Sequence, residues 1–321
     1  MNPREVIPGL ALLAVIALLP LVASNVVLNF LLSSLIVALA AQGWNLLGGY
    51  AGQLSFGHAA FFGTGAYATA VLQIRYGVNA WAGLAAGIAL GAAVGWVIGA
   101  LSFRARLRGS YFALVTLAFA EVLRILANAA DFTGGASGLL IRLSPGVENL
   151  QFASRAAFLW LLAGAVAAVL LLTGWIAHHR FGAQLVAVRE NEDAARALGV
   201  DVLRTKLRAI ALSGGVTAAA GCLYAQNFLY LDANIAYGTW ISIEVLIACV
   251  LGGTGTVLGP VVGALALHGV GELAKLALGR VAGPVPGVDL VVFGALLILA
   301  VAFLPRGVMD GVQRLVRGLA R

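Results

Sequence analysis

The stretch GLAAGIALGAAVGWVIGAL, residues 83–101, has no charged residue and is long enough to cross a membrane. A membrane-spanning α-helix needs about 20 consecutive apolar residues. Glycine recurs at every fourth position of this stretch, at Gly83, Gly87, Gly91, Gly95 and Gly99. That spacing places the glycines on one helix face, where small residues let two helix backbones approach closely. The stretch therefore predicts a membrane helix packed tightly against another helix.

The composition of the whole chain points the same way. Of its 321 residues, 61% are hydrophobic and only 10% are charged, whereas soluble domains average about 25% charged residues. So few charged groups cannot cover the apolar surface of a soluble fold, and the surplus must face lipid. The net charge of +7 favours basic cytoplasmic loops over nucleic-acid binding. The sequence predicts an all-α, polytopic membrane protein, with residues 1–321 in a single transmembrane domain.

Hydrophobic runs predict about ten transmembrane helices. They cover residues 8–24, 26–47, 55–74, 80–102, 110–129, 156–177, 208–230, 238–251, 259–279 and 287–304. The third run starts in a Gly-rich polar stretch and the eighth is short, so both predict broken or tilted helices. The first run also has the outline of a signal peptide. The second run follows at once and would lose its partner, which favours a retained first helix.

Basic residues predict the orientation of these spans. Most of the 20 Lys and Arg residues fall near residue 4 and in the segments 104–108, 180–208 and 306–321. Loops rich in Lys and Arg stay in the cytoplasm. An even number of spans then leaves the N- and C-termini in the cytoplasm, and residues 180–206 become a cytoplasmic loop.

Residue patterns for catalysis or metal binding are missing from the sequence. There is no phosphate-binding loop of the G-x-x-x-x-G-K-[ST] type, and the four histidines lack metal-ligand spacing. Cys222 and Cys249 both lie in apolar runs, which argues against a disulfide framework. We therefore expect no enzyme activity, no metal and no cofactor in this chain.

The segment RENEDAARALGVDV, residues 189–202, is the longest polar-rich stretch of the chain. Asn191 can cap a helix whose first turn holds two acidic residues, and Gly199 can end it. The pattern predicts a short helix outside the bilayer. The alternative is an ordinary charged loop that sets the topology, but such a loop needs only a few Lys or Arg residues. A capped helix between two spans is more typical of a docking element.

Three stretches resemble the branched-chain amino acid permeases of ATP-binding-cassette (ABC) importers. The segment DAARALG, residues 193–199, fits the E-A-A-x-x-x-G coupling pattern of ABC permeases, with Asp193 in place of Glu. The segments NLLGGYAGQLSFGHAAFFGTGAYATA at 45–70 and SIEVLIACVLGGTGTVLGPVVGA at 242–264 are similar to other parts of the same family. The resemblance extends from about residue 26 to residue 304.

In that family the loop helix lies in a groove of the cytoplasmic ATPase, and the resemblance implies the same role for a coupling loop at 180–206. The residues that it implies in ATPase coupling are Arg180, Gly182, Arg189, Glu190, Asn191, Asp193, Ala194, Ala195, Gly199 and Lys206. Because Ala194 and Ala195 are small, we expect a partner surface to approach the helix closely at these two positions.

Polar residues within the spans suggest a translocation pathway. The candidates are Asn45, Gln53, Ser55, His58, Tyr67 and Glu244. A carboxylate inside a span is costly and faces a bundle interior, often at a functional site. A polar bond to a neighbouring helix is the alternative for Glu244. For Gln53, Ser55 and His58 the alternative is that they bond the backbone freed by the Gly-rich break.

The resemblance implies a permease subunit, half of the transmembrane pathway of an importer for branched-chain or related amino acids. It also implies a homologous second permease subunit, two cytoplasmic ATPase subunits that hold ATP and Mg²⁺, and an extracytoplasmic substrate-binding protein. The location would be a bacterial cell inner membrane, with lipid and no nucleic acid as the surroundings. The alternatives are a urea, amide or sugar permease of the same superfamily and, from another class, an ion-coupled secondary transporter that uses Glu244.

Overall fold

The computed structural model describes residues 3–21, 24–152 and 154–282, together with Gly287, Val291, Gly294 and Ala295. The helices are α1 (Pro3–Leu18), α2 (Asn25–Trp44), α3 (His58–Tyr76), α4 (Ala80–Arg104), α5 (Gly109–Ala129), α6 (Arg155–Ala177), α7 (Arg180–Glu190), α8 (Glu192–Ala197), α9 (Val202–Phe228), α10 (Ala233–Ala236), α11 (Thr239–Gly252) and α12 (Gly259–Ala282). Two short strands, β1 (Leu139–Leu140) and β2 (Tyr230–Leu231), pair antiparallel. The predicted all-α class is confirmed for the described residues.

Each predicted span up to residue 279 coincides with a described helix. Within the part of the chain that the structure describes, six helical segments are long and apolar enough to cross a membrane: Asn25–Tyr50, Ala80–Arg104, Gly109–Ala129, Arg155–Ala177, Val202–Phe228 and Ala233–Gly252. Of the two spans predicted to be broken or tilted, the third begins with a non-helical segment at 51–57 ahead of α3, whereas the eighth, at 238–251, coincides with the single continuous helix α11. The total of ten spans and the cytoplasmic termini stay predictions, and the tenth span falls almost wholly outside the described residues.

The glycine stripe of α4 packs against α3 and α9, as its spacing predicts. A Cβ added at Gly91 would come 2.8 Å from the carbonyl oxygen of Gly214. At Gly95 it would come 2.7 Å from the carbonyl oxygen of Ile210. Because these neighbours are backbone atoms that cannot rotate away, only glycine permits the approach.

One end of the bundle holds most of the polar connections, and we refer to it as the charged end. It comprises the segments 45–57, 104–108, 180–201 and 253–258. Arg108 Nη2 lies 3.0 Å from Glu192 Oε2, and Arg189 Nη1 donates a 3.0 Å hydrogen bond to the carbonyl oxygen of Gly49. The two connections predicted to be cytoplasmic therefore meet on the same side.

The opposite end is covered by residues 130–152 and by the connection from α9 to α11. Pairing of β1 with β2 joins these two segments. Arg124 in α5 donates a 2.6 Å hydrogen bond to Asn234 in α10. Trp160, near the start of α6, donates a 2.9 Å hydrogen bond to the carbonyl oxygen of Ala17. The end of α1 thus lies at the opposite end, and α1 begins towards the charged end.

This arrangement predicts a labelling pattern. Cysteines placed at Arg106 and Ala197, both exposed, are expected to react with a membrane-impermeant maleimide only from the cytoplasmic side. Cysteines at the exposed positions Arg142 and Pro145 should react in intact cells. The parent protein is the background control, since its two cysteines are buried. Reaction at residue 197 from outside would invert the orientation and exclude contact with a cytoplasmic ATPase.

Candidate functional site

The predicted coupling loop contains two helices, α7 and α8, where the sequence predicted one. The start of α7 rests on the end of α6, because a Cβ at Gly182 would overlap the carbonyl oxygen of Ile176. The buried residues of α7 are Gly182, Leu185 and Val188. This three-residue spacing marks one helix face and was the signal that sequence reasoning missed. Arg180 and Glu190, at the ends of α7, are exposed.

The predicted boundaries of α8 are confirmed. The backbone N–H groups of Asp193 and Ala194 donate to Asn191 Oδ1 at 2.9 and 3.0 Å, so Asn191 is the N-cap. Gly199 has φ +86° and follows the helix end, a conformation that glycine adopts at little cost. Asp193 pairs with Arg196 at 2.7 Å and stays largely exposed.

The expectation that Ala195 faces a partner is wrong. Ala195 is only 1% exposed and packs with Val188 and Val202 in a small core inside the loop. Ala195 is the buried residue of α8 because it faces α7 and α9. Ala194 is exposed, and Leu198, which the sequence analysis overlooked, is 84% exposed.

Lys206 is also buried, with a side chain 5% exposed, and is not available to a partner. Its ammonium group pairs with Glu192 and lies 5.2 Å from the ring centroid of Phe103. Glu192 also contacts Arg108. A buried lysine needs such a partner to offset its desolvation. These contacts fix α8 to α9 and to the α4–α5 connection, so Lys206 positions the loop.

Two Gly-rich breaks meet at the charged end. The first is the segment 45–57 between α2 and α3, which starts with a π-helical turn (Asn45–Tyr50). The second is the segment 253–258 between α11 and α12. Asn45 Nδ2 donates to the carbonyl oxygen of Thr256 at 2.8 Å. Its Oδ1 accepts from the N–H of Gly255 at 2.7 Å. Asn45 therefore clamps the two breaks together, and its place in a pathway stays a prediction.

Arg189 connects the loop helices to this clamp. Its Nη1 donates to the Gly49 carbonyl oxygen, and its Nη2 pairs with Glu190 at 2.8 Å. A Cβ on Gly255 would come 3.2 Å from the same Nη1, so the second break passes directly beside the guanidinium. The end of α7 and both breaks share one contact point.

Gln53 and Ser55 bond the backbone of the first break. Gln53 Nε2 donates to the carbonyl oxygen of Ala51 at 3.0 Å. Ser55 Oγ accepts from the N–H of Gly57 at 3.2 Å. Because this segment is not helical, its backbone groups need other hydrogen-bond partners. Gln53 and Ser55 supply them, as the alternative interpretation of these two residues predicts.

His58 and Tyr67 lie in the interior of the bundle on α3. His58 Nε2 lies 2.8 Å from Ser213 Oγ of α9, and Tyr67 stacks on Tyr237 with ring centroids 5.6 Å apart. His58 Nδ1 and Tyr67 Oη are buried without a hydrogen-bond partner among the described residues. Their place in a pathway stays a prediction.

Glu244 lines a cavity of about 180 Å³ between α2, α3, α9, α11 and α12. Its carboxylate is 7% exposed, and Oε1 lies 3.2 Å from His268 Nε2. Of the predicted pathway residues, only Glu244 lines this cavity. His268 could not be singled out from the sequence, because the short connection at 253–258 places α12 beside α11 without indicating which side chains meet. Within the described ranges, no group of three His, Cys, Asp or Glu is placed to hold a metal.

The family of the chain follows from comparison with known proteins. A family model described as "Branched-chain amino acid transport system / permease component" matches residues 26–301. The chain belongs to this family. It is therefore a permease subunit of an importer and not a catalytic enzyme, and it resides in the cell's inner membrane.

Curated relatives agree with this assignment. The chain is 28% identical to the high-affinity branched-chain amino acid transport system permease protein LivM of Salmonella typhimurium, over 94% of the chain and 74% of that protein. It is 28% identical to LivM of Escherichia coli over 93% of the chain and 73% of that protein. It is 36% identical to the autoinducer 2 import system permease protein LsrC of Klebsiella pneumoniae, over 37% of each. No solved structure matches the chain.

Proposed function

We propose that this permease forms half of the transmembrane pathway of an ABC importer for branched-chain or related apolar amino acids. A homologous permease completes the pathway, two cytoplasmic ATPases supply ATP hydrolysis with bound ATP and Mg²⁺, and an extracytoplasmic binding protein delivers the substrate. The charged end faces the cytoplasm, and both termini lie on that side. No residue of this chain performs covalent chemistry.

The observation that carries this proposal is the exposed surface of α8. The loop buries its own apolar residues, including Ala195, in a small core, yet Leu198 stays 84% exposed beside the exposed Ala194. A purely topological loop has no use for a capped helix that presents a leucine. A soluble partner that covers Leu198 would gain the free energy of burying it, about 1.5–3 kcal/mol.

The contacts at the charged end supply a route for coupling. When ATP closes the ATPase pair, α7 and α8 move with the partner surface. Lys206, Glu192 and Arg108 hold α8 to the start of α9 and to the α4–α5 connection. Arg189 carries the motion to the first break at Gly49, and the Asn45 clamp passes it to the second break. The second break joins α11 and α12, whose side chains line the Glu244 cavity.

We infer the substrate class from the relatives that match most of the chain. The two LivM proteins are named for branched-chain amino acids and match over nine-tenths of it, whereas the autoinducer 2 permease matches 37%. We expect the binding protein that co-purifies with this permease to bind leucine, isoleucine or valine. A bound sugar, urea or amide would assign the chain to another branch of the superfamily.

An ion-coupled carrier that uses Glu244 is the rival function. Such a carrier needs no docked ATPase, so the exposed α8 surface argues against it. Uptake should persist when the proton gradient is collapsed and ATP is held constant. Uptake that disappears under those conditions would favour the carrier.

Replacing Leu198 with aspartate tests the docking surface. We expect co-purification of the ATPase and substrate-stimulated ATP hydrolysis to fall about tenfold or more, since losing 1.5–3 kcal/mol corresponds to at least that factor. The amount of permease in the membrane should not change, because Leu198 is exposed. The matched control is Leu143→Asp, which alters a leucine 68% exposed at the opposite end. If Leu198→Asp binds its ATPases and transports like the parent, α8 is only a topology loop.

A further inference from the structure

The Glu244 cavity combines one buried carboxylate with an otherwise mainly apolar wall. Its aromatic lining residues are Phe62, Tyr224, Phe228 and Trp240, and its aliphatic ones include Ile36, Val37 and Val245. Aromatic faces attract cations as well as apolar groups. The wall is therefore suited to a small molecule that carries both a positive group and an aliphatic part.

Glu244 is the one acidic side chain that is buried among the described residues. Burying a carboxylate within a span is costly unless a cation or hydrogen-bond donors compensate. The ion pair that the structure gives it is with His268, and an imidazole carries a full charge only when protonated. A ligand amine, which is protonated at neutral pH, would compensate the carboxylate more completely.

We propose that the Glu244 cavity is a transit site for an apolar amino acid, with the ligand's ammonium group at Glu244 and its aliphatic side chain against α2 and α11. This inference rests on the proposed function and adds a substrate contact within the permease. A cavity of about 150 Å³ is enough to hold benzene, so 180 Å³ is sufficient for the ammonium group and the aliphatic side chain of such a ligand. A bare metal ion would leave most of the apolar wall unfilled.

The charge of the cavity is tested with a cysteine at Ser33, which lines it. The full permease carrying Ser33→Cys is assayed in membranes with two small methanethiosulfonates, one with an ethylammonium and one with an ethylsulfonate group. After correction for their rates with a free thiol, we expect the ammonium reagent to react about tenfold faster. Glu244→Gln should bring this ratio close to one, and Glu244→Asp, which keeps the charge, should preserve it.

The matched control is Glu121→Gln, which removes a 45% exposed carboxylate on α5 and should leave the ratio unchanged. Leucine and isoamylamine should protect the cysteine at 33, whereas 4-methylpentanoate, which lacks the amine, should not. Three results would overturn the inference. They are a rate ratio of ammonium to sulfonate reagent near one in Ser33→Cys itself, a ratio that is unchanged by Glu244→Gln, and equal protection by 4-methylpentanoate.

The transit site and the docking of an ATPase can be tested independently, because each experiment can fail while the other succeeds. If the amine preference is missing while Leu198→Asp abolishes ATPase binding, only the transit site is wrong. If the amine preference holds while Leu198→Asp has no effect, the docking surface on α8 is wrong and the transit site stands.

Discussion

Replacing Gly221 with valine is expected to prevent the permease from packing correctly. A Cβ at Gly221 in α9 would overlap the carbonyl oxygen of Phe62 in α3. Because that atom belongs to the backbone, the conflict is relieved only if the two helices separate. Overpacking typically costs about 1–3 kcal/mol and occasionally more, and a forced helix separation belongs at the upper end. We expect the yield of monodisperse protein to fall at least about tenfold, which corresponds to 1.4 kcal/mol.

Gly164→Val is the matched control for this experiment. Gly164 lies in α6, and nothing approaches within 4 Å of a Cβ built there. Surface substitutions of this kind usually change stability by about 0.5 kcal/mol or less. Yield and thermal unfolding should therefore match the parent. A Gly221→Val protein as stable as the Gly164→Val protein would mean that α3 and α9 do not pack as described.

Span positions could be predicted because hydrophobicity is a property of each segment alone. The starts of helices were predicted less well. We placed the seventh span from residue 208, whereas α9 begins at Val202 with Asp201 as its N-cap. Apolar runs mark the part of a helix that faces lipid or the bundle, and Arg204 and Lys206 extend α9 beyond that part. The cap residue Asp201 was the local signal for the true start.

Contacts between distant segments could not be predicted from one sequence. Asn45 and Gly255 lie 210 residues apart in the chain and are joined by a 2.7 Å hydrogen bond. Asn45 in the sequence is only a polar residue in a span, and it was assigned to the pathway for that reason. Likewise, small size suggested that Ala195 faces a partner, whereas the fold of α7 and α9 around α8 buries it. Residue type indicated that these positions matter, and only packing determined how.

Replacing Arg189 with glutamine is expected to uncouple transport from ATP hydrolysis. Arg189 is the residue through which α7 contacts both breaks, by its bond to Gly49 and its approach to Gly255. A hydrogen bond from a charged donor contributes about 1.5–3 kcal/mol, so its loss should lower substrate uptake about tenfold or more. The Leu198 surface is unchanged, and ATPase co-purification should stay near the parent level. Uptake per ATP hydrolysed in proteoliposomes measures the effect.

Two further variants serve as controls for Arg189→Gln. Arg204→Gln removes another arginine near the charged end, with a side chain 78% exposed, and should transport like the parent. Arg189→Lys keeps the charge but cannot hold Glu190 and reach Gly49 with one planar group, so its uptake should fall between the parent and Arg189→Gln. If Arg189→Gln transports normally while Leu198→Asp does not, motion of α8 must pass through the other connection to the bundle, the ion pair of Glu192 with the buried Lys206. Breaking that pair with Lys206→Met would then abolish the transport that Arg189→Gln spared.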